Sequence, residues 1–176
     1  MKLTSTIMSS FMDRGLDFGS VRNHYRNFRP QYPEMLFEKI IEALPSEMRD
    51  IAMDLGAGTG LSTMPLLRWF NRVIAIEPDL RMASYIDKQN EKVVLFNTTA
   101  EEHVENIASI NLITSGNAFY WMDCARTILN IAAWLRENGV LAAHCCINIR
   151  ECLGVFHSLQ TTIARRSSIL LIILGY

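Results

Sequence analysis

Asp54, Gly56, Gly58, Gly60 and Glu77 are the residues of this chain whose types and spacing promise chemistry. In MDLGAGTGLS (53–62), three glycines occupy five positions directly behind an aspartate. Glycine gives up more backbone freedom on folding than any other residue, so such a cluster implies a tight turn or a close approach. At a strand-to-helix junction, glycines let a ligand reach the backbone amides at the helix start. Glu77 follows the apolar run VIAI (73–76), seventeen residues past Gly60. A carboxylate at the end of a second strand can accept from both hydroxyls of a ribose, a bidentate fit that no neutral side chain reproduces. Each feature alone also has a plainer account, a left-handed turn or an acid at a solvated helix start. Together they favour the ribose.

Other chemistry-bearing residues are less sharply patterned. Phe119, Tyr120 and Trp121 form an aromatic run that suits a cation or an acceptor, and equally suits a core position at a strand end. His24, His103, His144 and His157 are scattered; His144 falls within an apolar run and is expected to be buried. No residue is singled out as catalytic. Cys124, Cys145, Cys146 and Cys152 form no C-x-x-C pair, so no metal site is expected, and reduced thiols in a cytoplasmic protein fit better.

The elements that must position these residues alternate. PEMLFEKIIEAL (33–44) predicts a helix with Leu36, Phe37, Ile40, Ile41 and Leu44 on one face, ended by Pro45. Strands are expected at IAMDL (51–55), RVIAI (72–76), KVVLF (92–96), INLIT (110–114) and VLAAHCCI (140–147). Helices are expected at 63–70, capped by Ser62 or Thr63, and at 80–88. A third is expected at 124–138, with Asp123 as N-cap and Gly139 as C-cap. Apolar strands alternating with helices mean an α/β fold, a parallel sheet covered on both faces. The length of 176 residues suits a single domain. It divides into an N-terminal cap segment (1–32), a core (33–149) and a short C-terminal part (150–176).

Seventeen basic residues balance eighteen acidic ones, which leaves no electrostatic footprint for nucleic acid or an anionic membrane. The N-terminus makes a poor signal peptide, and ILLIIL (169–174) is too short to span a bilayer. The uncharged segment SSILLIILGY is expected to pair at 168–174 beside the fifth strand, after a turn carrying Arg165 and Arg166. Its outer edge would be exposed or covered by a partner subunit, as in a homodimer.

With these residues in hand, the chain resembles the class I S-adenosylmethionine-dependent methyltransferases. It looks closest to the small-molecule branch of methyltransferase type 11 that includes trans-aconitate and quinone-biosynthesis enzymes. The resemblance runs from about Tyr25 to about Ile149 and implies a Rossmann-like, doubly wound, mostly parallel sheet whose terminal strands are incomplete here. AMDLGAGTGLS (52–62) is similar to the family's first motif. The resemblance implies that Asp54, Gly56, Ala57, Gly58 and Gly60 hold the methionine end of S-adenosyl-L-methionine, with Glu77 and Pro78 at the ribose. NTTAEEH (97–103) implies adenine contacts at Ala100 and Glu101. NLITSGNAFYWMD (111–123) is similar to the fourth-strand motif and adds Asn117 to the cofactor site. LRENGVLAAH (135–144) has the shape of the family's helix end, glycine and fifth strand. YRNFRPQYP (25–33) resembles the entry segment of this branch and implies Tyr25 and Arg29 near the methionine portion.

Two positions depart from the family pattern: Asn111 stands where Asp is usual, and Tyr120 where His is common before Trp121. The implied activity is methyl transfer to a small-molecule acceptor. The alternatives are a non-catalytic, cofactor-binding remnant and a nicotinamide-dependent oxidoreductase. The G-x-G-x-G spacing, in place of G-x-G-x-x-G, weighs against the oxidoreductase.

Overall fold

Runs of Ile, Val, Leu and Ala that leave little room for polar residues must be covered on both faces, and they form the strands. In the computed structural model, residues 31–145 and 170–175 are described, the last segment through its backbone. All of them lie in the compact unit Gln31–Tyr176. The strands are β1 (Ile51–Leu55), β2 (Arg72–Ile76), β3 (Val93–Phe96), β4 (Ile110–Gly116), β5 (Leu135–Cys145) and β6 (Leu170–Gly175). They form one sheet in the order β3-β2-β1-β4-β5-β6, and every pair is parallel. The order reverses between β1 and β4, which opens a crevice at their carboxyl ends where ligands of such sheets bind. Tyr25, Arg29, Arg165 and Arg166 lie outside the described residues.

Helix α1 (Glu34–Glu42) buries Leu36, Phe37, Ile40 and Ile41, as its spacing predicts, and Pro33 stands at its N-cap. The carbonyls at and just beyond its end are gathered by one side chain. Arg49 donates to Ile41 O at 3.0 Å, Pro45 O at 3.0 Å and Met48 O at 3.1 Å, and to Leu44 O at 3.5 Å.

Strand alternation sorts the core into two faces. Met53, Leu55, Ile74, Ile76, Ile113, Leu141 and Ala143 pack with Ile128, Ile131 and Trp134 of helix α4 (Cys124–Trp134). Ala52, Val73, Leu112, Val140 and Ala142 pack with α1 and with Leu66 and Phe70. Asp54, Thr114 and His144 share the even-numbered positions of the second set, so all three belong to the α1 face.

Three helix expectations need correction. Helix α2 covers Thr63–Leu66 and helix α3 Leu80–Ala83, against the expected 63–70 and 80–88. Both continue as tighter turns, with Trp69 N–H donating to Leu66 O and Ile86 N–H to Ala83 O. Helix α4 starts where expected: Asp123 caps it, accepting from the Ala125 and Arg126 amides. It stops at Trp134, because the amides of Ala108 and Ser109 claim the carbonyls of Ala133 and Trp134. Gly139 is therefore not its C-cap. It lies in β5, packed against Arg136 O and Leu135, just past an irregular register in which Asn138 takes a φ of 60°. Among the described residues no helix is long and apolar enough to cross a membrane.

Candidate functional site

The three glycines of the first loop answer two different needs. All take positive φ, at 67°, 57° and 89° for Gly56, Gly58 and Gly60. A Cβ on Gly56 would run into Ala118 of the loop after β4, and one on Gly60 would meet Ile86 Cγ1 at 3.2 Å. Those two positions serve packing between loops and turns. A Cβ on Gly58 would meet nothing nearer than Met82 Cε at 3.8 Å. Of the three glycines, Gly58 alone would leave an added Cβ in no more than ordinary van der Waals contact.

Glu77 closes this loop. Its Oε2 accepts from Gly58 N–H at 2.8 Å, and its Oε1 accepts from Asp79 N–H at 2.8 Å. One buried carboxylate thus joins the first loop to the loop after β2, and each oxygen keeps a further lone pair for a ligand. Burial pushes its pKa up, against the two amide bonds. Ala57 N–H donates to Ile76 O at 3.0 Å, and Asn97 Nδ2 donates to the carbonyls of Glu77 and Pro78 at 2.8 and 3.0 Å, so Ala57 and Pro78 belong to the same framework.

Asp54 is fully buried at the end of β1. Its Oδ2 accepts from Thr63 Oγ1 at 2.7 Å, so Thr63 serves Asp54, and neither it nor Ser62 caps α2. Desolvation pushes the Asp54 carboxyl up to about 7, opposed by the Thr63 hydrogen bond. Oδ1 of Asp54, Oγ1 of Thr59 and Oγ1 of Thr114 are buried with no partner in the structure. Buried acceptors are normally satisfied, and Asp54 Oδ1 retains the capacity to accept a hydrogen bond.

The remaining expected residues divide. Ala100 is buried in the core, and its carbonyl accepts from Asn130 Nδ2 at 3.0 Å. Glu101 Oε1 accepts from Asp123 N–H at 2.6 Å, so this turn is fastened to the start of α4. Phe119 is a core residue, whereas Tyr120 and Trp121 pack on each other with ring centroids 5.2 Å apart. Asn111, the first departure from the family pattern, sits at the opposite end of the sheet. There its Oδ1 accepts from Ile51 N–H at 2.8 Å, a bond between strands that an amide makes as well as an acid.

Asn117, at a φ of 52°, donates from Nδ2 to Tyr32 Oη at 3.3 Å. It introduces a cluster that sequence reasoning missed. A Cβ on Gly116 would meet His144 Cε1 at 2.5 Å, Tyr32 Oη at 2.6 Å and Ser62 Oγ at 2.8 Å. Three polar side chains from distant segments converge on one missing side chain. The signal lay in strand register: Gly116 pairs with His144, and both occupy the face that carries Asp54.

Comparison with known proteins agrees with this geometry. A family model described as a methyltransferase domain matches residues 53–143. A methyltransferase candidate of Dictyostelium discoideum is 35% identical over 70% of this chain and 46% of its own length. An uncharacterized methyltransferase of Mycobacterium tuberculosis is 35% identical over 73% of this chain and 51% of its own length. The chain spans about half the length of the curated relatives it matches. Among solved structures, a candidate type II methyltransferase from Anaeromyxobacter dehalogenans superposes with a TM-score of 0.61 at 26% identity, covering 78% of this chain and 59% of that one. A phosphoethanolamine N-methyltransferase of Haemonchus contortus, solved with phosphoethanolamine and S-adenosylhomocysteine, superposes with a TM-score of 0.55 at 18% identity, covering 78% of this chain and 31% of that one. The sheet is thus the Rossmann-like class I methyltransferase fold. Because the family match begins inside β1, takes in the glycine loop and Glu77, and ends inside β5, this protein belongs to the methyltransferase domain family.

Proposed function

We propose that the chain binds S-adenosyl-L-methionine in the crevice between β1 and β4 and transfers its methyl group to a small-molecule acceptor. The observation that carries this reading is the Glu77 carboxylate, held by the amides of Gly58 and Asp79 in a loop where Gly58 has no close obstacle over it. The residues fit the cofactor. Glu77 would accept from the ribose hydroxyls, the bare face of Gly58 would admit the ligand close to the backbone, and the unpartnered Asp54 Oδ1 would accept from its ammonium. A relative in Saccharomyces cerevisiae, 29% identical over 68% of this chain, is described as a probable S-adenosylmethionine-dependent methyltransferase, which supports the same reading.

When bound, this cofactor supplies an electrophilic methyl group on a sulfonium sulfur. The protein's own task is alignment, and holding two reactants in line can account for about 7–11 kcal/mol of a barrier. The glycine loop, pinned at both ends, and the fixed loop after β4 provide that rigidity. The acceptor belongs on the β4–β5 side of the crevice, away from the ribose end at β2.

Calorimetric titration with S-adenosylmethionine tests the reading, followed by an acceptor screen scored by S-adenosylhomocysteine formation. Glu77→Ala should weaken binding by about 1.5–3 kcal/mol, the scale of hydrogen bonds to a charged group. An affinity unchanged by that substitution would remove the ribose role of Glu77. A wild-type chain that binds no S-adenosylmethionine would remove the function.

A further inference from the structure

We propose that cofactor binding is proton-coupled at Asp54: the cationic end of the ligand enters as a proton leaves that carboxyl for the solvent, so that pH sets how much of the protein is loaded. The inference rests on the cofactor reading above and adds a regulation of the same site.

The surroundings of Asp54 favour a neutral carboxyl. The side chain is fully buried at the end of β1, between Ala75 of β2 and Thr114 of β4 in the strand register. From α2 it receives the Thr63 hydroxyl at 2.7 Å, a neutral donor. The charged residues of α1, Glu34, Glu38, Lys39 and Glu42, are all exposed. His144 stands on the same face, two strands away on β5. The charged side chain that acts on Asp54 is another acid, Glu77, which opposes ionisation. Among the described residues Asp54 joins no ion pair. A buried carboxylate with no counter-charge is costly, and such a group takes up a proton instead. Burial first, with the charge of Glu77 added, carries its pKa up to about 7 against the Thr63 donors.

A ligand that brings a positive charge reverses this balance. An ammonium beside Asp54 supplies the counter-charge, and the anion becomes the favoured form. The bound state then holds the carboxylate and the ligand-free state the acid. Each molecule bound below about pH 7 therefore releases a proton, and affinity falls as the pH falls. Glu77 makes a different exchange. Its two oxygens already accept from the amides of Gly58 and Asp79, and the ribose hydroxyls it would meet are neutral, so no counter-charge arrives there.

Calorimetric titration of the full chain with S-adenosylhomocysteine, in buffers of different ionisation enthalpy, counts the protons released. A carboxyl that titrates at about 7 should release about 0.9 proton per molecule bound at pH 6 and about 0.1 at pH 8, with affinity about tenfold weaker at pH 6. 5′-Methylthioadenosine, which carries the ribose without the ammonium, should release less than about half as much at pH 6. Asp54→Asn, which cannot ionise, should lose this release and bind with a flat pH profile. Thr63→Val removes the donor that favours the anion and should move the midpoint of the profile to higher pH. Infrared difference spectra read the carboxyl directly: adding S-adenosylhomocysteine at pH 6 should bleach a protonated-carboxyl band. Binding without proton release at pH 6, or a release that survives in Asp54→Asn, would overturn the proposal and leave the cofactor reading intact. Should Asp54→Asn fail to fold, as judged by circular dichroism, an unmoved midpoint in Thr63→Val with no bleached band in wild type overturns it equally. Wild-type protein that binds neither nucleoside overturns the cofactor reading, and the coupling with it.

Discussion

Asp54 sets the electrostatic character of the site, because it is a fully buried acid. A carboxyl raised by burial from 3.8 to about 7 binds its proton more tightly in the fold than in the unfolded chain. Its stabilising contribution is therefore present at low pH and is lost as the pH climbs from about 4 to about 7. Above that window the buried charge costs the ligand-free fold on the order of 4 kcal/mol. Glu77, raised by the same cause, acts in the same direction. Asp54→Asn should raise the melting temperature of the ligand-free protein at pH 8 by several degrees, and the gain should vanish as the pH is brought down to about 4. Thermal melts across that range check it, and a gain independent of pH would contradict it. The acid itself was legible in the sequence, standing next to its glycines. Its partner Thr63 was not, because a hydroxyl at a helix start reads as a cap whichever oxygen or amide it serves. The purpose of each glycine was equally hidden: the obstacle at Gly56 is Ala118, far along the chain, and no local spacing announces it.

Among the elements, β1 to β4 were readable, whereas the helix ends and the start of β5, expected at Val140 and found at Leu135, were not. A run such as RVIAI has one way to be buried, between two covered faces, so β2 falls where composition puts it. Helical periodicity, by contrast, continues unbroken through tighter turns, as after α2 and α3. The end of α4 depends on Ala108 and Ser109, which arrive from another part of the chain to take its last carbonyls. The end of α1 depends on Arg49 in the same way, since its guanidinium spans four carbonyls. Arg49→Ala should destabilise the protein by about 2–3 kcal/mol, the worth of hydrogen bonds from a charged donor. Arg49→Lys should recover only part of the loss, because an ammonium lacks the planar fork. Urea denaturation of the three proteins measures both, and a lysine variant as stable as wild type would show that charge alone suffices.

At the scale of the whole molecule, β6 pairs with β5 in parallel register, from Val140↔Leu170 to Cys145↔Gly175. The apolar, uncharged composition of LLIILG foretold the pairing, whereas its direction is a property of the connection and could not be read from those residues. Within the described sheet β6 has one neighbour. A strand paired on one side donates alternate amides to it. Hydrogen exchange across residues 170–175 should therefore alternate between slow and fast. Uniformly fast exchange would remove the strand, and uniformly slow exchange would mean that a second chain covers the edge. The reversal of strand order between β1 and β4 reaches further, into the time at which the site comes into being. Ile51 and Asn111, joined across that boundary, are 60 residues apart in the chain, with β2 and β3 between them. Loop-closure entropy delays such a pairing relative to local contacts. During folding the crevice thus assembles only when the central strands meet, and a nucleoside added to a refolding chain would find its site no earlier than that closure.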